Sequence, residues 1–138
     1  MRRSALLSIP ITVAATLGFV AFGSAPLAGT EERWAAFAPN LENSAQVVWG
    51  ATQDEAKEKA ASSCRASSAT CAAKPANTNG LGHVFALMCC TAPQQGCAAT
   101  VGETRQIALH EVKRLFADAG YSQCRLQGYF SAATGQKG

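Results

Sequence analysis

Histidine is almost missing from this chain: of 138 residues only His83 and His110 carry an imidazole. No two cysteines stand in C-x-x-C spacing, so the commonest zinc-ligand signature is lacking too. Aromatic residues make up 7% and charged residues 15% of the sequence. A core built largely on alanine buries little area per side chain, at roughly 25 cal/mol per Å². Net charge is also small. The whole chain sums to +3, but Arg2 and Arg3 belong to an N-terminal export segment, and without them the balance is +1. A charge that low cannot neutralise a row of phosphates, so nucleic-acid binding is excluded as the main activity.

What the chain does have is a leader and six cysteines that all follow it. Arg2 and Arg3 give a positive start, residues 5–23 are apolar and uncharged, and residues 24–30 are small. This pattern reads as a cleaved signal peptide over residues 1–29. A membrane anchor is the rival reading, because the apolar run nearly spans a bilayer. Pro10 and the Ser/Thr content weaken it, no basic cluster follows, and Glu31 and Glu32 suit a released N-terminus. Export places the protein in the periplasm or the medium, where cysteines become cross-links. About 110 residues then remain, enough for one domain and marginal on burial alone, so disulfides are expected to matter to stability.

Past the leader, residues 30–44 read as a lead-in arm or short helix containing Trp34 and Phe37, broken by Pro39. Residues 45–132 read as a single disulfide-bonded α+β domain, and residues 133–138 as a frayed, flexible tail. Within the domain, Ala-Gln-Val-Val-Trp at 45–49 is a strand ended by Gly50. Thr52-Gln53-Asp54-Glu55 then fits a capping box that opens a helix to about Arg65, with Ala56, Ala60 and Cys64 on one stripe. Residues 74–82 carry loop chemistry throughout, and 84–90 form a short apolar run that favours a buried strand. Another strand covers 97–101. A second helix runs from about Glu103 to Ala119, placing Ala108, Val112, Leu115, Phe116 and Ala119 inward and Gln106, His110, Lys113 and Arg114 outward. Gly120 is its expected stop, and 121–132 give a last strand. The architecture expected is a small, mainly antiparallel sheet covered on one face by two helices.

Two segments of this pattern read either as an internal repeat or as two unrelated strand–helix–strand units that look alike. Gly50-x-Thr52 opens a helix that ends before Cys71, and Gly102-x-Thr104 opens one that ends before Cys124, with Cys64 falling opposite Phe116. Val48-Trp49-Gly50, Ala56, Ala60, Cys64, Cys71 and Gly96-Cys97-Ala98-Ala99 resemble a family of small exported bacterial proteins of unknown function. Its half-repeats pair a W-G strand end with an Ala-rich helix, two cysteines and a later C-A-A strand. The resemblance implies export and a disulfide-linked α+β fold, and supplies no activity. The chain departs from it in the vicinal Cys89-Cys90 pair and in a second half without the helix cysteine.

Six cysteines (Cys64, Cys71, Cys89, Cys90, Cys97 and Cys124) allow fifteen pairings. Successive strand residues point to opposite faces, so Cys89 and Cys90 should have different partners. Cys64 and Cys71 flank a short helix-to-strand turn and are the preferred pair. Cys97 can reach the 89/90 pair, leaving Cys124 for the other. Three site readings compete with this. His83, Cys89, Cys90 and Cys97 are zinc-type ligands; Cys89 or Cys90 with His83 or His110 could form a nucleophile pair; His83, His110 and Lys113 could perform ribonuclease-type acid–base chemistry. Export and an even cysteine count favour oxidised cysteines, and a solvated helix face accounts for His110. No metal, cofactor or catalytic residue is therefore expected. The reading is a non-enzymatic binding or envelope-associated module, with an envelope protein as candidate partner; the alternative is a small secreted hydrolase or an inhibitor of one. The two are distinguished by whether His83, His110 and a carboxylate converge in one cleft.

Overall fold

A computed structural model describes residues 33–138. The expected signal peptide, residues 1–29, lies outside the described residues. The elements in order are β1 (Trp34–Phe37), β2 (Val48–Gly50), α1 (Gln53–Ser67), β3 (Ala76–Thr78), β4 (Val84–Ala92), β5 (Gly96–Gly102), α2 (Arg105–Asp118) and β6 (Ser122–Ser131). The α+β class with two helices holds, but the strands divide into two antiparallel sheets, ordered β2-β1-β3 and β5-β4-β6.

Strand alternation shows how the layers stack. On β1, Ala35 and Phe37 pack with Phe85 and Leu87 of β4, whereas Ala36 and Ala38 pack with Ala56, Ala60 and Cys64 of α1. On β4, Ala86, Met88 and Cys90 pack with Ala108, Val112 and Phe116 of α2. The two sheets therefore face each other, and each carries its helix on its outer side. Both helices on one face of one sheet, the expected arrangement, is corrected by this. A single apolar stripe on each helix records that it covers a sheet, and says nothing about which sheet.

The internal repeat is structural. Each half runs strand, strand, helix, strand, with the first strand in the middle of its sheet. The halves share a local device at the helix start. Thr52 Oγ1 accepts from the Glu55 N–H at 3.1 Å, and Thr104 Oγ1 accepts from the Ile107 N–H at 3.2 Å. Glu55 does reach back, but to the Ala51 N–H (3.2 Å) rather than that of the cap residue. Two residues before each cap stands a buried glycine. A Cβ on Gly50 would lie 2.6 Å from the Ala56 nitrogen, and one on Gly102 would lie 2.5 Å from that of Ala108. The strand end and helix start touch backbone to backbone, and only glycine permits it.

Four further expectations are corrected. The lead-in arm at 30–44 contains β1, the central strand of its sheet. Ala35, Ala36 and Phe37 are all fully buried because both faces of β1 are covered, which erases the alternation by which a strand is recognised. The 74–82 segment contains β3, whose three residues pair with β1. The tail is not frayed: the Ser131 N–H donates to Gln136 O (3.0 Å) and the Gly138 N–H to Tyr129 O (2.8 Å), so 136–138 pair back on β6. Gly135, at φ 72°, makes the turn. Leu115 and Ala119, placed inward by periodicity, are exposed, Leu115 by 48%.

Alanine at Gly50 or Gly102 should each cost about 1–3 kcal/mol, because backbone atoms rather than a flexible side chain must yield. Gly82→Ala, which meets nothing within 4 Å, should stay within about 0.5 kcal/mol of the parent. Urea denaturation of the disulfide-intact protein checks all three, and equal losses at the three positions would contradict the close-approach role.

Candidate functional site

The cysteines form three bridges: Cys64–Cys71, Cys89–Cys97 and Cys90–Cys124. Cys64–Cys71 ties the end of α1 to the chain that leaves it. The other two are cross-strand pairs, since Cys89 sits opposite Cys97 on β5 and Cys90 opposite Cys124 on β6. Vicinal cysteines on adjacent strand positions thus staple β4 to both its neighbours. Among the described residues no cysteine is free, so none can act as a nucleophile or thiolate ligand in this state.

His83 stands half-buried immediately before β4, with Nδ1 2.8 Å from Thr78 Oγ1, and Thr78 Oγ1 also accepts from the Gly80 N–H at 3.0 Å. Its ring lies across Gly80, where a Cβ would fall 2.4 Å from the imidazole. Thr78 belongs to β3, so this histidine links the two sheets. His110 and Lys113 lie exposed on the outer side of α2. The sheet β5-β4-β6 separates that side from β3 and His83. The two histidines and Lys113 are therefore not brought together, and no carboxylate bonds to either ring among the described residues. No group of three or more His, Cys, Asp or Glu side chains gathers there in metal-binding range.

β4 and its neighbours are longer than the strands of the other sheet, so their far end projects beyond it. Against this projection lies the loop 40–44, forming a cleft of about 190 Å³. The Cys89–Cys97 bridge contributes its floor, and Leu41, Asn43, Gln95 and Gln127 its walls. Each wall side chain is neutral, and three are amides or carboxamide-bearing donors and acceptors. This constellation can hydrogen-bond a polar ligand and pack against Leu41. It has no group to take or give a proton. A larger groove of about 550 Å³ lies between α1 and residues 68–73, and its one charged wall residue is Arg65.

The loop 40–44 is built to hold its shape. Asn40, 1% exposed, accepts from the Ser44 N–H at 3.0 Å and donates to Ser44 Oγ at 3.0 Å. Asn43 takes φ 55°, a conformation that Asn tolerates better than most residues. Glu42 Oε2 accepts from Ser68 Oγ and Thr70 Oγ1, both at 2.7 Å, and Thr70 Oγ1 accepts from the Leu41 N–H at 3.0 Å. The Ser68 hydroxyl, with Thr70 second, holds the Glu42 carboxyl below its usual range. Asn40, Leu41, Asn43, Gln95 and Gln127 carried no signal in the sequence beyond the turn preference of asparagine.

Comparison with known proteins yields no match: no family model, no curated protein and no solved structure corresponds to the chain.

Two outcomes follow from this geometry. Cys90–Cys124 closes 34 residues and Cys89–Cys97 closes 8. Replacing each pair by serine should thus cost about 3.8 and about 2.5 kcal/mol respectively on the chain-entropy model. Denaturant titration of the two double variants measures the order, and a larger loss for the 89/97 pair would contradict it. For Glu42, a depressed folded pKa means that its contribution is complete above the ordinary value of 4.5 and fades as pH falls through the folded pKa. The amide protection factor of Leu41 should drop over that acid range. Glu42→Gln should show the lowered protection already at neutral pH.

Proposed function

We propose that this chain is an exported protein, released from residues 1–29, that acts in the periplasm or medium as a non-enzymatic binding or envelope-associated module. The observation that carries the reading is the cleft at the Cys89–Cys97 bridge, walled by neutral side chains on a cross-linked frame. Its chemistry suits recognition: amide groups for hydrogen bonds, one leucine for apolar contact, and a loop pinned by Asn40 and Glu42 so that little ordering entropy is lost on binding. The three disulfides accord with an oxidising compartment. The resemblance to small exported bacterial proteins, carried by Val48-Trp49-Gly50 and the cysteine pattern, points the same way. No helix among the described residues is long and apolar enough to cross a membrane.

The test is expression of the full chain in a bacterium, followed by fractionation and thiol titration of the unfolded, non-reduced product. Recovery from the periplasm or medium with no titratable thiol and an N-terminus near residue 30 supports the reading. A cytoplasmic product with two or more reactive thiols overturns it. Turnover of an ester, peptide or phosphodiester that disappears in His83→Ala would move the protein to the hydrolase reading instead.

A further inference from the structure

β5 is an edge strand without protection. Its seven residues, Gly-Cys-Ala-Ala-Thr-Val-Gly, carry no charge and no proline. Among the described residues no backbone group pairs with its outer side. Long, flat, uncharged edges of this kind invite pairing with another strand. The remaining edges are all managed. β6 carries Arg125, is irregular where its register against β4 shifts at Leu87/Met88, and is covered over 129–131 by the returning chain. β2 and β3 have three residues each, and Pro75 stands immediately before β3.

A second observation lies beside this edge. Among the described residues the exposed large apolar side chains are Leu41, Ile107 and Leu115, and the last two are on α2 at 45% and 48% exposure. Taking α2 at 100° per residue, they lie roughly 120–160° round the helix from Leu109. Arg105 sits over Tyr129 of β6, and Leu109 packs with the cluster that contains Tyr129 and Leu126. Ile107 and Leu115 therefore flank β5. A Cβ placed on Gly102 at the end of β5 would meet Ile107 Cγ2 at 2.9 Å.

We infer that β5 is the pairing edge of a homodimer, in which two copies join β5 to β5 antiparallel about a two-fold axis to make a continuous six-stranded sheet, with the two α2 helices packed side by side through Ile107 and Leu115. The strand suits its own image. Centred on Ala99, the pairing sets Ala98 opposite Thr100, Cys97 opposite Val101 and Gly96 opposite Gly102, with no like charges juxtaposed. Spacing is the stronger argument. α2 lies over β5 and β4 and touches β6 only marginally, so its axis runs about half a strand spacing inside β5. Across a β5–β5 seam the two α2 axes are then roughly 10 Å apart, two strand spacings. Helices pack at about 8–10 Å. A foreign extended peptide would satisfy the strand edge alone, whereas a second copy brings the matching helix. Glu111, between the two apolar residues, is held by Arg114 at 2.6 Å.

The experiment uses the full chain, exported and purified with its disulfides intact. Sedimentation equilibrium should show the mass rising towards twice that of the monomer with concentration. Amide exchange at β5 should slow in step with it. Ile107→Lys with Leu115→Lys, both at exposed positions, should weaken association at least about tenfold, with an unchanged thermal melt at concentrations where the parent is monomeric. A protein that stays monomeric to roughly 0.5 mM (weaker than about 4–5 kcal/mol of association) overturns the inference. So does a dimer that the lysine pair leaves intact, or one whose β5 amides exchange as fast as in the monomer.

Discussion

Phe37 between Phe85 and Phe130 is the contact on which the whole arrangement depends. The ring centroids stand 5.9 and 4.9 Å apart, and Phe37 and Phe85 are fully buried. No disulfide crosses from one half of the molecule to the other, because Cys64–Cys71 lies in the first half and both other bridges in the second. The halves are joined by this aromatic seam, by Ala35, Val47, Leu87 and Ala132 packed around it, and by a few hydrogen bonds. Trp49 Nε1 donates to Ala132 O at 2.8 Å, and Thr78 meets His83. Sheets pack about 10 Å apart, a gap that aromatic rings fill and alanines cannot. A scarce supply of aromatic residues is thus spent where the space is widest.

Under the helices the economy is reversed. Ala36, Ala38, Ala56 and Ala60 form the layer beneath α1, so the helix backbone lies close to its sheet. The second half fills the matching layer with Val112, Phe116 and Met88. The same helix position is Cys64 in one half and Phe116 in the other. Where it is cysteine, the bridge secures the helix to the following chain. Where it is phenylalanine, packing secures the helix and the cysteines staple the strands. One topology is stabilised in two ways, and the stapled half is the one with strands long enough to project.

That projection carries the surfaces on which the proposed binding rests. The cleft at Cys89–Cys97 and the β5 edge both belong to the longer sheet, beyond or beside the shorter one that covers it. Neither contains a titrating group aimed at a ligand. The histidines serve elsewhere, His83 as a link between sheets and His110 on solvated helix surface. A rigid frame with neutral recognition groups is a physical basis for binding, and the disulfides keep it rigid without a large core.

Sequence by itself determined the features that depend on near neighbours. Thr52 and Thr104 mark helix starts because a hydroxyl caps an amide three residues on. Gly120, at φ 79°, ends α2 because only glycine adopts that conformation freely. Cys64–Cys71 spans seven residues, a distance that local geometry can judge. The opposed directions of Cys89 and Cys90 follow from the period of a strand. Tertiary structure alone decided the rest. β1 looked like an arm because a strand covered on both faces loses its alternation. β3 is too short to show a period at all, and its pairing with β1 is made across some forty residues of chain. The outward position of Leu115 followed from where α2 meets β5, and the division into two sheets from which aromatic rings found each other. Apolar periodicity records how many faces of an element are covered; which element covers them is a non-local choice, made by packing.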